Sequence, residues 1–473
     1  MEQILSKISD FLWGYPMIIL LVGTHLYLTI RLKFPQRKIF TAIKLSVKKD
    51  NSNSGDVSQF GALATALAAT IGTGNIIGVG TAIALGGPGA VMWCWLTGVF
   101  GIATKYGEGL LAVKYRRKSP KGHMIGGPMY ALEDGLNAKW AGVLFAVFTA
   151  IAAFGIGSTV QANAISTLAA DALHINPWVT GSVVTLLVSL VLVGGIKSIA
   201  KVCTALVPFM AALYVIGCIV ILCMNADYVL PAIKLIVASA FMPEAAGGGI
   251  AGSAIMLAAR YGIARGLFSN ESGLGSAPLV AAAAKTRNPV RQALVSASGT
   301  FWDTVVICAI TGIVIVSSIL STVEETFGAL SDLPTASLLQ RMFKQELMET
   351  YLSIDGGTLT NLAFKKIPYI GTPLLLFGLF TFAFSTILGW SIYAKRAVEY
   401  LGGYKTARIY TWFFIVAVFV GSVINLNTVW TLADVFNALM AIPNLFALIL
   451  LSSVIARDTD KYLWSGNLDE EGE

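Results

Sequence analysis

The stretch that decides the fold is Ala69-Thr-Ile-Gly-Thr-Gly-Asn-Ile-Ile-Gly-Val-Gly80. It lies within an apolar run over residues 60–85, long enough to cross a bilayer. Its middle is poor helix, because Gly72, Gly74, Gly78 and Gly80 each cost about 1 kcal/mol relative to alanine. Asn75 would leave an amide unpaired if it faced lipid. A broken helix at membrane depth persists only where it is buried in protein or lines a cavity. The stretch is therefore a candidate binding site.

Composition sets the class. Of 473 residues, 56% are hydrophobic and only 12% charged, and the mean hydropathy is +0.73. Soluble domains carry about 25% charged residues. The chain reads as an all-α polytopic membrane protein. Residues 1–10 are mildly charged and the first apolar run, 11–32, has the length of a true span, so it reads as a span and not as a cleaved leader. The net charge of +7 sits in short loops between spans, which points to topology and not to nucleic acid. Cys94, Cys203, Cys218, Cys223 and Cys308 all fall in apolar runs and read as small packing residues without disulfides. His25, His123 and His174 are scattered, so no metal centre is expected.

Eleven spans follow, lettered A to K: A about 11–32, B 58–85, C 87–114, D 140–169, E 178–196 and F 200–224. G is composite, a surface helix over 227–241 followed by a crossing over 248–284. H covers about 290–320, I 368–394, J 408–425 and K 428–455. Lys and Arg concentrate in the A–B, C–D, E–F, G–H and I–J loops and in the tail, while B–C, D–E and J–K have none. The positive-inside rule then puts the N-terminus outside and the C-terminus in the cytoplasm. The long connection 321–366 falls outside, where it is either a lid or an ordinary solvated loop. The expected organisation is an N-terminal helix and basic loop (1–50), a first five-helix half (51–225), a second (226–456) and a cytoplasmic tail (457–473).

Span G holds a second anomaly, Arg265-Gly-Leu-Phe-Ser-Asn-Glu-Ser-Gly-Leu-Gly-Ser-Ala-Pro278. Gly273 and Gly275 weaken the helix, and Pro278 lacks the N–H needed to continue it. Glu271 is an ionisable group near mid-span, a functional-site hypothesis by default. With A set aside, B is the first of ten spans and G the sixth, and they run in opposite directions. Paired interruptions at matching places in two inverted halves are the best sequence pointer to a secondary transporter's site.

The chemistry follows from the backbone. Unwinding exposes N–H groups at the positive end of a half-helix, which suits a carboxylate, and Thr73, Gly74 and Asn75 are the expected donors. It also frees carbonyls at a half-helix C-terminus, and those near Ala68, Thr70 and Ile71 are the expected sodium ligands. Glu271, if ionised, accepts from a substrate ammonium. Small residues beside the bulky Phe268 favour a small substrate side chain.

The Gly72-Thr-Gly-Asn-Ile76 segment, the Arg265–Pro278 stretch and Gly86-Gly-Pro-Gly-Ala-Val-Met-Trp-Cys-Trp95 closely resemble the alanine or glycine:cation symporter family. The third departs from the usual Phe-Trp-Met-Trp at Met92 and Cys94, both still apolar. The resemblance covers essentially the whole chain. It implies the five-plus-five inverted fold of the bacterial leucine transporter with one added N-terminal helix, in a multi-pass plasma-membrane protein. It also implies sodium-driven uptake of alanine or glycine. Matched by position, it places substrate contacts at Ile71–Asn75 and at Phe268, Ser269 and Glu271. On span D it points to Gln161, which otherwise makes an interhelical hydrogen bond. On span I, Ser385 and Thr386 match sodium ligands and Trp390 a cavity wall. The partners so implied are a small neutral amino acid, sodium and the lipid bilayer, with no nucleic acid and no obligate protein partner.

Other charges lie within spans. Asp303, roughly 20 Å from the cytoplasmic end of H at about 1.5 Å per residue, either supports a second cation site with Asn75, Thr70 and Ser269 or is a structural carboxyl. Lys105 and Glu108 are three apart on one helix face and read as a mutually neutralising pair. Arg260 and Arg265 either guard the outer mouth or pack against the outer loop. Against the symporter stand a proton-coupled carrier using Glu271 or Asp303, a channel, and an intramembrane enzyme. The polar residues cluster at one depth, where a channel wants a continuous pore, and no nucleophile–base pair appears.

Overall fold

The computed structural model describes residues 2–48, 50, 54–241, 251–327, 356–424 and 427–472. It is a mostly helical bundle, as a chain without water must be, since each helix satisfies its own backbone. Among the described residues six helices are long and apolar enough to cross a membrane, and a seventh appears when the two halves of span B are joined. Pro177–Val193, in span E, is a shorter apolar helix.

Span A is helix Tyr15–Arg31, preceded by a separate amphipathic helix Glu2–Leu12. Span B comprises Gln59–Thr70 and a second half starting near Gly74 and ending at Gly86, bent by 52°. Ser58 caps its start by accepting from Gly61 N at 3.0 Å. Span C is Gly89–Lys114. Span D runs Lys139–Phe154, a π-helical turn Gly155–Thr159, and Val160–Leu173. Span F is Gly195–Met224, and a helix runs over Ala226–Phe241 where the surface helix was expected. The described part of span G is helix Ala251–Asn270, an irregular loop, and the short turn Pro278–Ala281. Span H is Pro289–Thr300, a π-helical segment Phe301–Cys308, and Ala309–Phe327. Spans I and J are closer together than their charges suggest: Gly371–Val423 is interrupted only at Gly403 (φ 76°). Span K is Asn427–Leu450.

B and G lie at the centre. The first half of B packs on F and I, and its second half packs on G. Span C is wedged between A, G and H, and D lies against I, J and K.

The ends of B and G that carry the basic loops are joined through backbone. Asp56 N donates to Ala283 O and Lys285 N to Val57 O, both at 2.8 Å. Arg116 Nη1 ties the same strand by donating to Ala284 O at 2.9 Å. The tail lies across this face. Lys114 pairs with Asp458 at 2.6 Å and Lys33 with Asp460 at 2.7 Å. Buried Arg291 pairs with Asp50 at 3.1 Å and also with Asp469, whose carboxyl it holds below the ordinary carboxylate value.

On the opposite face, part of the 321–366 connection is ordered as helix Gly356–Phe364; residues 328–355 lie outside the described set. This helix docks on the second half of B, and Thr360 Oγ1 lies 3.1 Å from Ile76 O. A Cβ added at Gly80 would stand 2.2 Å from the Gly356 carbonyl oxygen, so the contact requires glycine. Gly80→Ala should therefore overpack it at a cost of about 1–3 kcal/mol, seen as a lower melting temperature of the purified protein. An unchanged melting temperature would show that this docking contributes little.

Candidate binding site

Both interruptions foreseen in the sequence are real breaks. In span B, Ile71 leaves the helix with extended backbone (φ −74°, ψ 93°), and a π-helical turn resumes at Gly74. In span G the loop 271–277 takes left-handed backbone at Glu271 (φ 54°), Gly273 (φ 94°) and Gly275 (φ 82°). Such backbone is ordinary for glycine and uncommon for glutamate, so Glu271 is held there by its surroundings.

Span H reaches both breaks through one carboxylate. Asp303 accepts from Asn75 Nδ2 at 2.8 Å, from Ser269 Oγ at 2.9 Å and from Thr304 Oγ1 at 2.7 Å. Asn75 Oδ1 in turn accepts from Gly72 N at 2.9 Å, closing the break in B. Cys308 Sγ sits against the same two residues, 3.3 Å from Asn75 Nδ2 and 3.2 Å from Ser269 Oγ. The donors expected on span B are backbone amides. The Asn75 N–H lies 3.3 Å from Gly72 O and its side chain is held by Asp303, which leaves the N–H groups of Thr73 and Gly74. As first-turn groups these two have no acceptor within their helix. Of the residues expected around Asp303, Asn75 and Ser269 are gathered there, while Thr70 Oγ1 turns to Leu67 O at 3.4 Å on its own helix.

Span I meets the first half of B where its carbonyls end. Ser385 Oγ lies 3.2 Å from Ala68 O, and a Cβ at Gly72 would stand 2.6 Å from Thr386 Oγ1. Ala68, Ser385 and Thr386 are thus together, with Ile71 at the C-cap between them. The donor set is all neutral oxygen, which suits a hard monovalent cation.

Phe268 packs against B, its Cδ1 3.2 Å from where a Gly74 Cβ would lie. It also floors a small cavity of about 130 Å³ that is lined by Arg265 and Asp434. Arg260 at its rim pairs with Asp10 at 2.9 Å. On the other side, Trp390 of span I fills the space left by Gly157 of span D, where a Cβ would come within 2.5 Å. Gln161 donates to Ile156 O at 3.1 Å, while its Oε1 and Trp390 Nε1 are buried without a partner among the described residues. The Glu271 carboxylate accepts from Ser276 Oγ of its own loop at 2.5 Å.

Sequence reasoning missed the support beneath span G. Glu108 Oε1 accepts from Gly273 N and Gly275 N, both at 3.0 Å, and from Asn444 Nδ2 at 2.8 Å. Successive amides around left-handed residues form an anion-binding nest, here filled from within. Lys105 Nζ is 4.0 Å from Glu108 Oε2, so the expected pair exists but is the weaker part of Glu108's surroundings. The contact of Cys308 with Asn75 and Ser269 was also missed. Glu108 was legible as a buried carboxylate; its acceptor role was not, because Gly273 is 165 residues away.

Replacing Asp303 by asparagine turns one acceptor toward donors as a further donor. Asp303→Asn should cost about 1–3 kcal/mol, seen as a lower melting temperature of the purified protein. Wild-type melting would show that the network does not organise the breaks.

The family model described as the sodium:alanine symporter family matches residues 1–472. An uncharacterized transporter of Haemophilus influenzae is 48% identical over 465 residues, covering 98% of this chain and 96% of its own. The sodium/alanine symporter AgcS of Methanococcus maripaludis is 46% identical over 467 residues, covering 97% of each chain. The probable sodium/glutamine symporter GlnT of Bacillus subtilis is 34% identical over 462 residues, covering 96% of this chain and 90% of its own. By both the family model and these relatives, this chain belongs to the sodium:alanine symporter family.

Proposed function

We propose that this protein imports alanine or glycine together with sodium, by alternating access, across the plasma membrane. The topology proposed is eleven spans with the N-terminus outside and the C-terminus in the cytoplasm. The core is two inverted five-helix halves, 51–225 and 226–456, around the breaks in B and G. Family membership supports the sodium coupling and the substrate class.

The observation that carries the mechanism is the meeting of Ser385 Oγ with Ala68 O at the end of a broken half-helix, beside Thr386 and Gly72. Sodium takes the carbonyls near Ala68, Thr70 and Ile71 and the hydroxyls of Ser385 and Thr386. The substrate carboxylate takes the N–H groups of Thr73 and Gly74, one turn further along the same chain. Sodium therefore orders the strand that presents the carboxylate donors. The unpartnered Gln161 Oε1 is an acceptor for the substrate ammonium, with Glu271 as a second. Phe268 and Trp390 wall the site and Ser269 links it to Asp303, so little room is left for a side chain.

The conformation fits one half of an access cycle. The face bearing the basic loops is closed by the backbone pairing of 56–57 with 283–285. The other face has the small cavity floored by Phe268. Opening the basic face requires those pairings and the tail contacts to part.

Alanine uptake by purified protein in liposomes should rise with an inward sodium gradient, and Ser385→Ala should raise the sodium concentration needed. Uptake driven equally well by a pH gradient without sodium would contradict the coupling. Glu271→Gln should weaken alanine by roughly ten- to a hundredfold, since hydrogen bonds to charged groups contribute about 1.5–3 kcal/mol. Undiminished apparent affinity would make Glu271 a loop-shaping residue only.

A further inference from the structure

The loops that carry the basic residues hold a cavity that the transport reading does not use. It has a volume of about 330 Å³ and lies between the E–F junction and the I–J end. Lys197 and Lys395 line it, together with Tyr404. Lys121 reaches the same aromatic wall, its Nζ 3.5 Å from the Tyr404 ring centroid, and Lys395 Nζ stands 5.7 Å from it. The other charges in the wall, Arg396 and Glu399, neutralise each other at 2.8 Å. Among the described residues none of the three lysines has an ion pair. The cavity is therefore cationic, with two of its lysines over the Tyr404 ring and none paired to a carboxylate among the described residues.

Its position relative to the bilayer narrows the ligand. Helix Pro177–Val193 presents Val183, Leu186, Leu190 and Val193 at 50%, 60%, 66% and 78% exposure. Their spacing of three and four residues makes one stripe of the helix, which in a membrane protein faces lipid. The stripe ends at Val193, which lines the cavity beside Gly194 and Gly195. The first turn of Gly195–Met224 follows directly, adding the positive end of its dipole. Apolar side chains on the bilayer side and lysines at the interface match one molecule with an acyl tail and a phosphate.

We propose that this cavity binds the phosphate of an anionic phospholipid, with Lys121, Lys197 and Lys395 as its cationic partners. The chains lie along the Val183–Val193 stripe and the headgroup enters between Lys197 and Lys395. The inference rests on the membrane-spanning reading and is independent of the substrate and ion assigned above.

Full-length protein in phosphatidylcholine nanodiscs doped with phosphatidylglycerol provides the test, with retained lipid counted by native mass spectrometry. The Lys121→Gln/Lys197→Gln/Lys395→Gln variant should hold phosphatidylglycerol at least roughly tenfold more weakly than wild type, given interfacial lysine contributions. The difference should shrink as salt rises. A control with the same charge change elsewhere, Lys44→Gln/Lys48→Gln/Lys139→Gln, should bind as wild type does. Equal binding by the cavity variant and wild type, or equal loss in the control, would overturn the assignment. In phosphatidylcholine alone, inorganic phosphate should not shift wild-type melting. A shift abolished by the cavity substitutions would assign the site to free phosphate and overturn the lipid. Lys197→Gln alone carries the same comparison if the triple variant does not fold.

Discussion

The Asp303 carboxylate is the constraint on which the centre of this molecule depends. It is buried in span H, and its donors come from the break in span B, from the break in span G and from its own helix. A buried carboxylate without such partners would be strongly disfavoured, so the three donors and the charge hold each other in place. Through Asn75 the constraint reaches Gly72 N, the amide at which span B stops being helix. Breaking either half-helix contact strands the others, which gives the two breaks a shared energetic fate.

Glu108 does for the far side of span G what Asp303 does for the near side. It fills the nest formed by Gly273 and Gly275, and Asn444 ties it to span K. The loop 271–277 is thus fixed by Glu108 of span C, while Asp303 of span H holds Ser269 at the end of the helix that leads into it. Around these anchors the backbones approach closely. A Cβ on Gly389 would stand 2.6 Å from Ala69 Cβ, so spans B and I touch beside the proposed cation ligands. Small residues at such crossings are how membrane helices gain packing where water supplies no drive between them.

How much of this was legible follows from the range of each interaction. The breaks were legible because glycine and proline weaken a helix locally, and both fall where the sequence placed them. Gly72–Asn75 and Arg265–Pro278 also carried the family resemblance. The meeting of Ser385 with Ala68 came from that resemblance, not from periodicity. That the Asn75 side chain would be held by Asp303 was not legible, because that partner lies 228 residues away. Lys105 and Glu108 were paired because they are neighbours on one helix, whereas the nest that Glu108 fills exists only after span G has folded. Spans I and J illustrate a subtler limit. Basic residues there looked like a loop, yet they continue the helix to Gly403.

The central claim is that sodium and the amino acid share one ordered strand of span B, so that each favours the other's binding. Reciprocity is required of any such coupling. Calorimetric titration of alanine into the purified protein, at saturating sodium and in its absence, measures it directly. The account predicts much tighter alanine binding with sodium, and sodium affinity raised by the same factor when alanine is present. Alanine binding that is indifferent to sodium would contradict it.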